Sequence, residues 1–242
     1  MSGAGKYCGG TCPILDKAVR GRKINAAADR PVAANLGETN NMKRLFALLA
    51  LAVSLFITGC ALTPSAGWVA LIEDGKGLEN FDRIGDANWR AEGGLIVADK
   101  GKGGHLVTKN RYKDFEIYAE FWAEATTNSG IFMRAQDPKN IGAANSYEVN
   151  IFDQRPGQEY STGGIVDFAQ VRQPYPKAGG KWNTYEVYVK GTEVVVKLNG
   201  HVTVAMNNDK FKEGPFSLQY ALGANGIPGG AIKWRKVLVR PL

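Results

Sequence analysis

Asn128-Ser129-Gly130-Ile131-Phe132-Met133-Arg134 and Ser146-Tyr147-Glu148-Val149-Asn150-Ile151-Phe152-Asp153 are two short strand-like runs. Side chains alternate across a strand, so one face of the pair reads Ile131, Met133, Val149 and Ile151, an apolar stripe fit for a core. The other face reads Phe132, Arg134, Glu148, Asn150 and Phe152. If the two strands are neighbours, a cation, a carboxylate, an amide and two rings share one side of a sheet. Solubility alone does not require that set, and it suits a surface that grips a polyhydroxylated ligand.

The same alternation recurs on either side. Phe115, Ile117, Ala119 and Phe121 interleave with Glu116, Tyr118, Glu120 and Trp122, and Tyr185, Val187 and Val189 with Thr184, Glu186 and Tyr188. Asn199-Gly200 joins Val194–Leu198 to His201–Ala205, a hairpin signature because both residues tolerate the positive φ of a tight turn. Phe216, Leu218 and Tyr220 form a further run, and Ile232 to Val239 a closing strand. Trp89 to Val97, His105 to Thr108 and Gly163 to Val166 are shorter candidates. No sustained helical period follows Cys60, and no repeat suggests a propeller. The expected architecture is all-β, a two-sheet antiparallel jelly-roll sandwich.

The N-terminal quarter reads differently. Lys43 and Arg44, the apolar run Leu45 to Phe56 and then Ile57-Thr58-Gly59-Cys60 follow the order of a secretory signal, too short to span a bilayer. Its last four residues resemble a bacterial lipobox, which implies a lipid anchor on Cys60. A signal's charged end belongs at the N-terminus, so Met42 is the expected start and residues 1–41 an over-extended or disordered segment. Cys8 and Cys12 in that stretch have no second Cys or His pair nearby to complete a metal knuckle. Residues 42–60 are then a signal peptide, 61–67 a tether and 68–242 one domain without cysteine. The expected location is the bacterial cell envelope, on the outer membrane or facing the periplasm.

Charge narrows the partners. Of the 30 Lys and Arg, six precede Met42 and two lie in the signal; of the 23 Asp and Glu, three precede Met42. The remaining 22 cations and 20 anions leave a net charge near +2, with no basic cluster, so the basic pI of the whole chain does not point to nucleic acid.

An ordered set of landmarks runs through the domain: Gly93-Gly94-Leu95-Ile96, His105-Leu106-Val107-Thr108, Tyr112-Lys113-Asp114-Phe115-Glu116-Ile117, and the two opening segments. Thr162-Gly163-Gly164-Ile165, Lys181-Trp182-Asn183, Leu198-Asn199-Gly200 and Gly214-Pro215-Phe216-Ser217-Leu218-Gln219 complete it. This set resembles the 3-keto-disaccharide hydrolase domain family over about residues 68–242. The resemblance implies a concanavalin-like jelly roll, action on glycosides oxidised at C3, and frequent export or lipid anchoring. Two positions depart from the family pattern: Asn150 stands where Gln is usual, and Tyr220-Ala221 where a His-Gly pair often follows Leu218-Gln219.

A ketone at C3 acidifies the C2 hydrogen, so a base can remove it, the C1–O bond can break by elimination, and water can add back. Glu148 is the candidate base or acid and Arg134 the candidate enolate stabiliser. Asn150 and Gln219 would bond sugar hydroxyls, with Phe132, Trp122 and Tyr118 as stacking platforms and Asp153 at the strand's end. Glu148, Asn150 and Asp153 also offer oxygen ligands suited to Ca²⁺ or Mg²⁺, without a diagnostic spacing. Each has a plainer reading: Glu148 and Arg134 as a cross-strand ion pair, Tyr118 and Trp122 as packing, His105 as a turn or edge residue, His201 as surface. The alternative function is a non-catalytic carbohydrate-binding lipoprotein on the same fold.

Overall fold

The structure, a computed structural model, describes residues 66–242. The expectations for residues 1–41, the signal at 42–60, the anchor at Cys60 and most of the tether lie outside the described residues.

Thirteen strands follow in chain order. They are β1 (Val69–Glu73), β2 (Phe81–Gly85), β3 (Arg90–Glu92), β4 (Leu95–Ala98), β5 (Gly103–Thr108), β6 (Phe115–Ala123) and β7 (Ser129–Met133). Then come β8 (Tyr147–Ile151), β9 (Lys181–Lys190), β10 (Glu193–Leu198), β11 (His201–Asn207), β12 (Ser217–Ala221) and β13 (Ile232–Pro241). Among the described residues the helical elements are three single 3₁₀ turns.

The strands make two antiparallel sheets. The larger has the order β11-β10-β9-β6-β13-β4-β3, with β1 also paired to β13; the smaller has the order β2-β5-β12-β7-β8. Between them the inward half of each alternating run packs into one cluster: Phe121 and Tyr185, their ring centroids 5.0 Å apart, meet Trp234. Fully burying a side chain of the Phe, Leu or Ile kind is worth about 1.5–3 kcal/mol, so this dry layer dominates the folding energy. The architecture is the jelly-roll sandwich that the alternation predicts.

Local chemistry sets the turns. Asn199 (φ 52°) and Gly200 (φ 79°) occupy the left-handed positions of a two-residue hairpin and pair Leu198 with His201. Gly163–Val166 is not a strand of its own. It lies in the long β8–β9 connection, where Gly163 (φ 89°) and Asp167 (φ 63°) bend it and Ile165 turns back to Ala169. It still bonds along the free edge of β8: Asn150 N–H donates to Gly164 O, Gly163 N–H to Asn150 O, and Val166 N–H to Glu148 O. That edge is thereby covered rather than left open. β1 and β2 carry no clean alternation, Asp82-Arg83 interrupting the second, and only tertiary pairing reveals them.

Candidate functional site

The two opening segments are neighbours. β7 and β8 pair antiparallel with Phe132 opposite Glu148 and Gly130 opposite Asn150. Ile131, Met133, Val149 and Ile151 all enter the core, so Phe132, Glu148 and Asn150 face outward from the smaller sheet. Pairing extends that outward face. Phe132 stands opposite Ser217 on β12, and Gln219 two residues on stands opposite His105 on β5. His105 packs edge-on against Phe132 at 5.1 Å, and its Nδ1 lies 3.1 Å from Ser217 Oγ.

Glu148 is the pivot of this face, with only 9 % of its surface exposed. A Cβ at Gly130 would sit 3.4–3.5 Å from the Glu148 side chain, so the glycine leaves the carboxyl its room. Burial disfavours the carboxylate and pushes its pKa up to about 7; Arg155 pulls the other way and Asp167 adds to the rise. A carboxyl balanced near neutrality can both take and return a proton. His105 is held down to about 4 by burial alone and is therefore a neutral imidazole at pH 7. Gln219 Oε1 and the Nε of Arg155 are buried without a hydrogen-bond partner among the described residues. Such atoms are costly unless a ligand or water meets them.

Other expected participants sit elsewhere. Arg134 is 1 % exposed and does not face Glu148. The alternation fails at its own backbone, which turns left-handed at φ 53°, so β7 ends at Met133. The guanidinium instead donates to the carbonyls of Lys113, Gly191 and Phe211 and lies 3.3 Å from Asp114. It clamps three segments and does not reach the outward face at Glu148. Trp122 and Tyr118 belong to β6, on the outer face of the larger sheet: Lys233 covers the Trp122 ring at 4.5 Å, and Tyr118 donates to Glu120 at 2.9 Å. Alternation tells which face a residue takes, but not which sheet its strand joins. They are therefore not platforms for a ligand at Glu148.

Asp153 fastens the β8–β9 connection by accepting from Thr162 Oγ1 (2.6 Å) and from the N–H groups of Ala178 and Gly179. Asn150 donates to Tyr160 O at 2.7 Å beneath the same connection, with its Oδ1 unpartnered among the described residues. With the Asp153 oxygens engaged in this way, Glu148, Asn150 and Asp153 do not form an open set of oxygen ligands. Among the described residues no three His, Cys, Asp or Glu side chains converge as metal donors.

Tyr220 fills a core position and donates to Gly229 O. An imidazole at 220 would point between the sheets, whereas His105 supplies one on the outward face. Sequence reading missed His105 and Arg155. Leu106 as an inward residue places His105 outward, a usable signal; Arg155 lies in a connection with no period to read.

A family model described as the 3-keto-alpha-glucoside-1,2-lyase-like domain matches residues 67–240. Two candidate glycosyl hydrolases from Parabacteroides distasonis superpose on the fold. One, at 20% identity and TM-score 0.62, covers 73% of this chain and 94% of its own; the other, at 23% and 0.58, covers 72% and 99%. A Bacillus subtilis protein with a galectin-like fold, 9% identical, aligns with TM-score 0.53 over 71% of this chain and 96% of its own. No curated protein sequence matches the chain.

Proposed function

The chain belongs to the 3-keto-alpha-glucoside-1,2-lyase-like domain family, and on that premise we propose that it cleaves glycosides oxidised at C3, by elimination followed by hydration. The observation that carries this reading is Glu148: a buried carboxyl with a pKa raised to about 7, beside Phe132 on the outward face that also presents His105 and Gln219. In the proposed step the Glu148 carboxylate takes the C2 proton, and the C2–H electrons form the enolate at C3. The enolate then collapses to a C1=C2 double bond conjugated with the restored ketone, the C1–O bond breaks, and the leaving oxygen takes a proton. Water adding at C1 completes hydrolysis.

Gln219, the neutral His105 ring and the positive field of Arg155 are the groups that would meet the sugar's oxygens and the charge growing at C3. Phe132 offers an apolar wall for the ring's C–H face. Arg155 takes the electrostatic part that the sequence suggested for Arg134. Anchoring through Cys60 in the bacterial envelope is the remaining element of the proposal. It rests on the order of charge, apolar run and lipobox at 43–60.

The test is incubation of the purified protein with 3-keto-trehalose and 3-keto-glucosides, with and without chelator. Release of glucose by the wild type and its loss in Glu148→Gln is the expected result. Saturable binding without turnover would instead place the chain among non-catalytic sugar binders. Membrane fractionation of Cys60→Ser tests the anchor, which predicts release of the variant into the soluble fraction.

A further inference from the structure

The outer face of the larger sheet holds a second concavity that the chemistry at Glu148 does not use. It measures about 130 Å³ and is walled by Trp68, Tyr118 and Tyr188, with Glu116, Glu186 and Lys197 at its rim. A water needs roughly 10–15 Å³ of such space to enter and takes about 30 Å³ in the liquid, so the cleft admits several waters, a scale that suits one sugar ring rather than a chain.

The register across β6 and β9 explains its chemistry. Tyr118 stands opposite Glu186, and Glu116 opposite Tyr188. Directly opposed side chains in a sheet are about 4.5–5.5 Å apart at Cβ, so the two rings lie on one diagonal and the two carboxylates on the other. Trp68 closes one end beneath the Arg240 guanidinium, 5.0 Å from its ring. Arg240 also bonds Glu116, and Lys197 lies 3.7 Å from Glu186. Two cations thus balance two anions, and a charged ligand would meet no net field. A ligand with an apolar C–H face and a rim of hydroxyls fits instead, the face on the rings and the hydroxyls on loosely paired, half-exposed Glu186.

We propose that this cleft is a non-catalytic site for one neutral hexopyranose unit, on the opposite sheet from Glu148, and that it holds sugar independently of turnover. It requires no oxidised sugar, so it stands or falls separately from the reading of Glu148.

The experiment is a titration of the purified protein with methyl glucosides, methyl galactosides and maltotriose, followed by saturation-transfer NMR and tryptophan fluorescence. Binding that weakens about tenfold or more in Trp68→Ala and in Tyr188→Ala, and persists in Glu148→Gln, is the expected result. Glu186→Gln keeps the cleft's shape, and it should weaken binding without moving the thermal midpoint. Binding lost only in Glu148→Gln, binding indifferent to all three cleft variants, or no binding of any of these sugars overturns the proposal.

Discussion

The two outer faces of the sandwich carry similar residues and treat them differently. On the larger sheet, Glu120 meets Arg235 at 2.6 Å, Glu116 bonds Arg240, and Trp122 and Trp182 lie under Lys233 and Arg235. Those charges are paired and their arginines reach solvent, where such pairs contribute ~0–1 kcal/mol. On the smaller sheet the β8–β9 connection bonds along the edge of β8, and Glu148 is buried with no ion-pair partner within 4 Å among the described residues. Desolvation there raises its pKa to about 7. What separates the two faces is the loop laid over one of them and the missing partner, rather than the kind of residue displayed.

That contrast can be broken from either side. The largest effect is expected for Glu148→Gln, with turnover of a 3-keto-glucoside falling about 10²–10⁴-fold as proton transfer is lost. The variant also carries a sign test on stability. Glu148 ionises at about 7 when folded against 4.5 as its ordinary value, so its stabilising contribution is complete below about 4.5 and is lost as pH rises through 7. Gln has no such loss, and Glu148→Gln should melt higher than the wild type at pH 8. His105, depressed to about 4, works in the opposite sense: its contribution is present above 6.5 and is lost as pH falls toward 4. The variant's melting temperature should therefore climb with pH across that window more steeply than the wild type's.

Arg134→Met comes next and acts on the fold. Removing the guanidinium strands the carbonyls of Lys113, Gly191 and Phe211, of which only Phe211 is a buried residue, a loss of about 1–3 kcal/mol by denaturant titration. A variant that kept wild-type stability but lost turnover would return Arg134 to the chemistry. Arg155→Met should be milder in rate and specific in pH. Arg155 lowers the Glu148 pKa, so its removal should move the acidic limb of kcat/KM to higher pH. Trp122→Ala should be the smallest, with KM for a 3-keto-glucoside unchanged, because the ring lies on the other sheet.

Much of the fold was legible because alternation is a local property: β6 to β13 announce themselves by period, and Asn199-Gly200 by turn chemistry. Pairing is not local. Nothing in Phe115–Ala123 states that it joins the larger sheet, and that single unknown misplaced Tyr118 and Trp122 as partners of Glu148. Arg134 was misread for a backbone reason, one left-handed residue that ends the strand and turns the side chain away. Glu148, Phe132 and Gln219 do share one outward face, because their strands keep strict alternation up to those positions. Arg155 became visible only when the connection folded back over β8.

The most direct test of Glu148's role is the pH dependence of kcat/KM for a 3-keto-glucoside, measured in the wild type and in Arg155→Met. An acidic limb near pH 7 that shifts upward in the variant is the predicted result. A limb near 4.5, the ordinary glutamate value, or one that Arg155→Met leaves in place, would contradict the assignment of Glu148 as the proton-transferring group.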